Sequence, residues 1–400
     1  MEDFDALVES YTSDRETGIL GVVLLAVDHD AKSLYSKASG HTSLSSDANP
    51  ISETSIFRLA SCTKLITSIA ALQLAAQGKF GLDDSSIIEK HLPELCTQEI
   101  VTSAPGQPLT FKPRTNPITL RQLLTHTSGI GYDITDPRLQ AWRKSCGETP
   151  KALSGPILEA FSTPLVFEPG EGWGYGGGLD WVTVLIERVT GKNYGEWLRE
   201  NVFDVVGVDA RVGFVKMEVE KEGEVVMTTT RNKESKLVEH KVGQMKGEGG
   251  GGGLFASPSN CMRILQDLIS DYPKLLPKEM LDELFKPQLP VGSPSLKGLH
   301  TSAPIFAAMT GPLTASLKST SLNHGLGGIL ITEDSEGLGK TKGTLSWGGA
   351  FNCVWFANRE VGVAGCYMSA MYPPGDVKSG ELMSGFMREV WRKVGERELR

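Results

Sequence analysis

Near the amino end, Phe4, Leu7 and Val8 fall on one stripe at helical spacing, which predicts an amphipathic helix over residues 2–12. Two runs of β character follow at about 19–28 and 33–39, joined by the polar turn His29-Asp30-Ala31-Lys32, as in a hairpin. Beyond a loop rich in Ser, Asp, Asn and Pro, the extended segment Ile56-Phe57-Arg58-Leu59 leads into a helix from Ser61 to Gln77. There Leu65, Ile69, Leu72 and Ala76 keep the helical period, and Gly78 supplies the stop. Residues 98–118, dense in proline and turn formers, read as a long ordered loop. Helical patterns come near 119–126, 151–162 and 178–190, and a hairpin turning at Lys221-Glu222-Gly223-Glu224 fits 211–240.

Gly247-Glu248 and then Gly249 to Gly253 admit two readings, a flexible linker or a tight backbone approach ahead of a helix that Ser257 caps. The last eighty residues alternate strand and turn (328–332, 343–347, 353–357, 361–367) before a closing helix at about 378–395. Strands at both ends with helices between them predict an α/β (α+β) fold, one sheet built from both termini around an insertion. The expected division is a sheet part at 1–90 and 321–400, and a mostly helical part with a β-hairpin at 91–320. The active site falls at their junction.

Composition narrows the function. A net charge of −8 with no compensating basic stretch argues against a nucleic-acid partner. The run Ile19 to Val27 is too short to span a bilayer, so no membrane association is expected. The amino-terminal stretch is acidic, without the basic and apolar regions of a signal peptide. Six scattered cysteines form neither a metal-like nor a disulfide-like pattern, and the expectation is a cytoplasmic protein with free thiols. No close histidine cluster, no Gly-x-Ser-x-Gly and no dinucleotide fingerprint occurs, so neither a metal nor another cofactor is expected.

Ser61-Cys62-Thr63-Lys64 is the one Ser-x-x-Lys in the chain. The serine stands where an extended segment enters a helix, at the positive end of the dipole, and three helical residues bring Lys64 onto the same face. A lysine buried there is pushed towards its neutral form, which can take the serine proton. Cys62 points about 100° away on the helix and reads as packing.

Four segments occur in order: Phe57 to Lys64, Leu123-Leu124-Thr125-His126-Thr127-Ser128-Gly129, Trp173-Gly174-Tyr175-Gly176-Gly177 and Gly343-Thr344-Leu345-Ser346-Trp347-Gly348-Gly349. Together they resemble the serine β-lactamase and penicillin-binding-protein superfamily over about residues 15–390. The branch they resemble is that of esterases and acyltransferases, with family VIII carboxylesterases and fungal lovastatin-type acyltransferases. The resemblance makes Ser61 the nucleophile, Lys64 its base and Tyr175 the proton-relaying phenol of a Tyr-x-Asn element, in which Gly177 replaces the asparagine. Trp347-Gly348-Gly349 replaces Lys-Thr-Gly, so a cation for a substrate carboxylate is missing. Both changes count against β-lactams. The implied oxyanion hole uses the N–H groups of Ser61 and Ala350, with Trp347, Gly348, Gly349 and Gly177 on the substrate side. Trp347 also fits a plain core position. His126 reads as pinning the turn after its helix, and His324 as a candidate for the pocket lining.

What the resemblance implies is acyl transfer through a Ser61 acyl-enzyme, in secondary metabolism. The donor is expected to be a thioester on an acyl carrier protein or CoA, or an ester, and the acceptor a small-molecule alcohol. Hydrolysis of small esters by the same acyl-enzyme is the alternative.

Overall fold

The computed structural model describes residues 2–152, 154–243, 245–310 and 317–398. Helix α1 (Glu2–Ser13) precedes strands β1 (Gly21–Asp28) and β2 (Ser33–Gly40). The main helices that follow are α2 (Thr63–Ala76), α3 (Gly178–Thr190), α4 (Pro258–Ile269) and α5 (Pro294–Thr310). Strands β3 (Leu322–His324), β4 (Ile329–Ile331), β5 (Leu345–Gly349), β6 (Cys353–Asn358) and β7 (Val363–Ser369) come next, and α6 (Val377–Glu398) closes the chain. The seven strands form one antiparallel sheet in the order β3-β4-β5-β6-β7-β1-β2. The two chain ends meet where β1 pairs with β7, Leu24 opposite Tyr367. Because β1 is covered on both faces, its side chains from Val22 to Val27 are an unbroken apolar run.

One face of the sheet receives α1 and α6 through an aromatic cluster: Phe4 on Tyr35, Tyr35 on Phe386, and Phe356 on Phe386 and Trp391. Alternation turns the next residue, Trp355, to the other face. There it lies among Leu59, Cys62, Leu65, Cys261 and Ile264, so α4 and the start of α2 pack against the sheet on that side. The segment carrying the candidate nucleophile is thereby fixed to the sheet's interior.

Local differences from expectation have local causes. Residues 98–118 contain a two-stranded ribbon, Glu99–Val101 with Phe111–Pro113, closed by a turn in which Gln107 N–H donates to Ala104 C=O. Proline is tolerated at such an edge. A helix over Pro137–Ser145 was not expected, although Asp136 caps it and Pro137 opens it. The helix in 151–162 is confined to Ile157–Phe161. The hairpin in 211–240 turns at Asn232–Lys236 instead of 221–224, pairing Thr229–Arg231 with Leu237–Glu239. Asn232 Oδ1 accepts from the N–H of Glu234 and Lys236 and so fixes that turn, whereas Lys221 to Glu224 follow a short helix at Lys216–Val219. Of the two readings of the glycine run, the tight approach is found: Gly249 and Gly250 are buried against α2 and α3.

Candidate active site

The strand Phe57–Arg58 pairs with Phe255–Ala256, and Leu59 N–H donates to Leu254 C=O, which aims the chain at the start of α2. Ala60 then takes a left-handed conformation at φ 43°, a strained place for a residue with a side chain. Ser61 lies in a 3₁₀ turn, Ala60–Cys62, two residues before α2 proper begins at Thr63. Its hydroxyl caps nothing: Cys62 holds the N-cap position, without a side-chain bond. Instead Ser61 Oγ accepts from Tyr175 OH at 2.5 Å and from Lys64 Nζ at 3.3 Å. Ser61 is half-buried, and Lys64 is only 2% exposed.

Lys64 Nζ has three acceptors, Ser61 Oγ, Tyr132 OH at 3.3 Å, and the carbonyl of Gly251. As an ammonium it donates to all three. As a neutral amine it has two N–H groups and a lone pair, and the lone pair can receive the Ser61 proton. Its Nζ also stands 4.7 Å from the Tyr175 ring centre. The glycines around Tyr175 have a steric reason. A Cβ on Gly176 would lie 1.9 Å from Ile130 C=O, and one on Gly178 would lie 2.5 Å from Leu123 C=O. The place of Gly177 has no room for an asparagine, since its Cβ would meet Phe161 Cδ1 at 2.2 Å.

The other sequence-selected residues divide. Trp347 is buried, its ring centre 5.3 Å from that of Tyr175 and 6.1 Å from that of Phe306. Gly349 lets the end of β5 reach the nucleophile segment, because a Cβ there would lie 2.4 Å from Leu59 C=O. Gly348 is buried in the same strand, and Ala350 is half-buried just after it. His126 sits at φ 59° with its ring against Tyr175, Trp173, Trp347 and His324, not Ser61. Burial, with the charges of His324 and Lys64, pushes His126 well below the usual imidazole range. His324 is likewise buried in this aromatic group, its Nδ1 on the Gly325 carbonyl, and burial pushes it down to about 4. Cys62 Sγ turns to the Cys353 carbonyl, away from the hydroxyl group.

Two groups escaped the sequence reading. Tyr132 is buried beside Lys64, and burial, then Asp180 and Tyr175, push its phenol well up. Its one sequence signal is its place three residues after the Leu123 to Gly129 motif. Asp180 is buried on the first turn of α3 and accepts from Gly251 N–H at 3.0 Å. An acidic residue there is ordinary for a helix start, so nothing in the sequence sets it apart. Among the described residues no group of three or more His, Cys, Asp and Glu side chains is arranged to hold a metal, and no helix is long and apolar enough to cross a membrane.

A serine hydroxyl shared by a buried amine and a phenol is a device for acyl transfer. The profile of the family described as Beta-lactamase matches residues 4–381. "Acyltransferase calJ" of Penicillium decumbens is 35% identical, covering 98% of this chain and 98% of its own. "Lovastatin esterase" of Penicillium rubens is 32% identical, over 94% of this chain and 96% of its own. Among solved structures, the LovD6 mutant of simvastatin synthase from Aspergillus terreus is similar at a TM-score of 0.87 and 27% identity, covering 98% of this chain and 95% of that one. A profile match that spans residues 4–381 shows that the chain belongs to the Beta-lactamase family.

Proposed function

We propose that the chain is an acyltransferase of secondary metabolism that moves an acyl group from a thioester or ester donor to an alcohol by way of Ser61. The observation that carries this is the Ser61 hydroxyl held between Lys64 Nζ at 3.3 Å and Tyr175 OH at 2.5 Å. In the first half-reaction neutral Lys64 takes the Ser61 proton as Oγ bonds to the donor carbonyl. The resulting oxyanion is received by the N–H groups of Ser61 and Ala350. Collapse expels the thiolate or alkoxide, which leaves with a proton supplied through Tyr175 from the Lys64 ammonium. In the second half the acceptor hydroxyl takes the leaving group's place and gives up its proton along the same route. Its oxygen bonds to the acyl carbon, and Ser61 is released with its proton restored.

Relatives named as acyltransferases, among them acyltransferase mokF of Monascus pilosus, support this reading of the reaction. We take the donor to be a thioester on an acyl carrier protein or CoA, and Trp347, Gly348 and Gly349 to line the acyl side. The test is to incubate the protein with a panel of acyl thioesters and digest it for mass spectrometry. An acyl group on the Ser61 peptide, absent in Ser61→Ala, is expected; a panel that leaves Ser61 unmodified sinks the proposal. Ester hydrolysis is the second reading, favoured by the likeness to lovastatin esterase.

A further inference from the structure

The acyl-transfer scheme gives Asp180 no task, yet the site is built around it. Its carboxylate is 1% exposed and lies five residues after Tyr175. Gly251 joins it to the base: the N–H of Gly251 donates to Asp180 Oδ1 at 3.0 Å, and the C=O of the same residue accepts from Lys64 Nζ. The glycine run is shaped to this carboxylate. A Cβ on Gly251 would lie 2.2 Å from Oδ2, and one on Gly249 would lie 3.2 Å from Oδ1. Burial raises the carboxyl to about 6, against the pull of Lys64 and of the Gly251 N–H, so it is ionised at neutral pH.

The other titratable groups around it are Tyr132 and Tyr194, both pushed up by burial and by its charge. Tyr175 lies beyond Lys64, and Glu248 is turned to Gly195 N–H. The cation that acts on Asp180 is Lys64. An asparagine would offer Gly251 the same acceptor oxygen without the penalty of a buried charge. What asparagine lacks is the charge itself.

We propose that Asp180 is a positioning residue for the base: through Gly251 it holds Lys64 on the Ser61 hydroxyl, and its negative charge stabilises the ammonium that forms as Ser61 attacks. This rests on the reading of Lys64 as the base, which Lys64→Met tests separately by loss of Ser61 acylation. For Asp180 itself, the rate of Ser61 acylation by a p-nitrophenyl ester is followed against pH in the native protein and in Asp180→Asn. With the charge gone the neutral amine is reached more easily, so the acid limb moves to lower pH by on the order of one unit. The plateau falls about tenfold, since a unit of differential interaction is a factor of ten. A role in loop packing alone leaves the acid limb in place and lets activity follow the folded fraction. A second measurement needs no turnover and no Asp180 variant. By ¹³C NMR of aspartate-labelled protein, the Asp180 carboxyl titrates near 6, and at higher pH in Lys64→Met, where its cation is missing. An unmoved acid limb in folded Asp180→Asn, or a carboxyl titration indifferent to Lys64→Met, overturns the proposal.

Discussion

The Ser61 hydroxyl is bonded to an amine at 3.3 Å and a phenol at 2.5 Å, and single-atom deletions separate their duties. Tyr175→Phe keeps a ring that packs on His126, Tyr132 and Trp347 and removes only the hydroxyl. Turnover should fall by about 10²–10⁴-fold, the scale of a positioned proton-transfer group, while Tm barely moves. Parallel losses of activity and Tm would make Tyr175 a packing residue. Tyr132→Phe deletes one of three acceptors of Lys64 and leaves Ser61 and Gly251 in place. A hydrogen bond to a charged group is worth about 1.5–3 kcal/mol, so a loss of about ten- to a hundredfold in acylation rate is expected. Asp180 adds a stability prediction with a definite sign. Its folded pKa, raised by burial to about 6, lies above the ordinary 3.8. The stability it confers is therefore fully present below about pH 4 and is lost as pH rises through about 6. Asp180→Asn, which cannot ionise, should gain on the native protein in Tm between pH 4 and 6 and keep that advantage above. A gap that is flat with pH, seen by thermal scans from pH 4 to 8, counts against a buried ionised carboxylate. Ser61, Lys64 and Tyr175 were legible because each stands in a motif with fixed neighbours. Tyr132 and Asp180 were not, because their meaning arises only when the fold sets residues 64, 132, 180 and 251 side by side.

Among the elements, the glycine run shows how composition alone leaves two outcomes open. Five glycines in a row carry no side chain that could choose between a solvated linker and a packed loop. The choice is made by the partners: Thr67 on α2 donates its hydroxyl to Gly250 C=O at 2.7 Å, and Asp180 on α3 accepts from Gly251 N–H. The run's positions should therefore differ sharply in tolerance. A Cβ on Gly250 would lie 2.1 Å from Thr183 Oγ1 and 2.8 Å from Thr67 Oγ1, whereas one on Gly252 would find nothing nearer than 3.6 Å, at the Ala60 carbonyl carbon. Gly250→Ala should cost about 1–3 kcal/mol as an overpacked site and, by shifting the loop, depress acylation as well. Gly252→Ala should stay near native in both Tm and rate. Equal behaviour of the two variants would mean that the run is loose. The misplaced hairpin in 211–240 has a related lesson: Lys221-Glu222-Gly223-Glu224 has turn composition, but Asn232, whose side chain bonds two backbone N–H groups, has turn chemistry.

For the molecule as a whole, the central sheet was readable because its inner strands β1, β6 and β7 are largely apolar runs near the two ends of the chain, and closing it pairs β1 with β7. The site was readable only in outline, for it gathers stretches near residues 57–64, 126–132, 173–180, 249–254 and 345–350 that no local pattern connects. That assembly also bears on the fate of the acyl group. Among the described residues, the side-chain hydrogen-bond partners of Ser61 Oγ are Lys64 and Tyr175, and the nearby carboxylate of Asp180 is reached only through Gly251. No carboxylate thus stands at the hydroxyl to activate water on its own account. The rings of Trp347, Tyr175, Trp173 and Phe306 form a connected aromatic group beside it. Of these rings Tyr175 is half-buried and the others are buried, and an apolar acceptor gains about 25 cal/mol for each Å² of its own apolar surface that it removes from water, whereas water gains nothing comparable. With a thioester donor and a hydroxyl acceptor both present, the acyl group should therefore pass mainly to the acceptor. The proposed order of reaction, with Ser61 acylated first, requires double-reciprocal lines that run parallel as the acceptor is varied. Free-acid release should fall as acceptor is added, since water and alcohol compete for one acyl-enzyme. If a broad panel of alcohols leaves the hydrolysis rate unchanged while small esters are cleaved efficiently, water is the natural acceptor and the chain is an esterase.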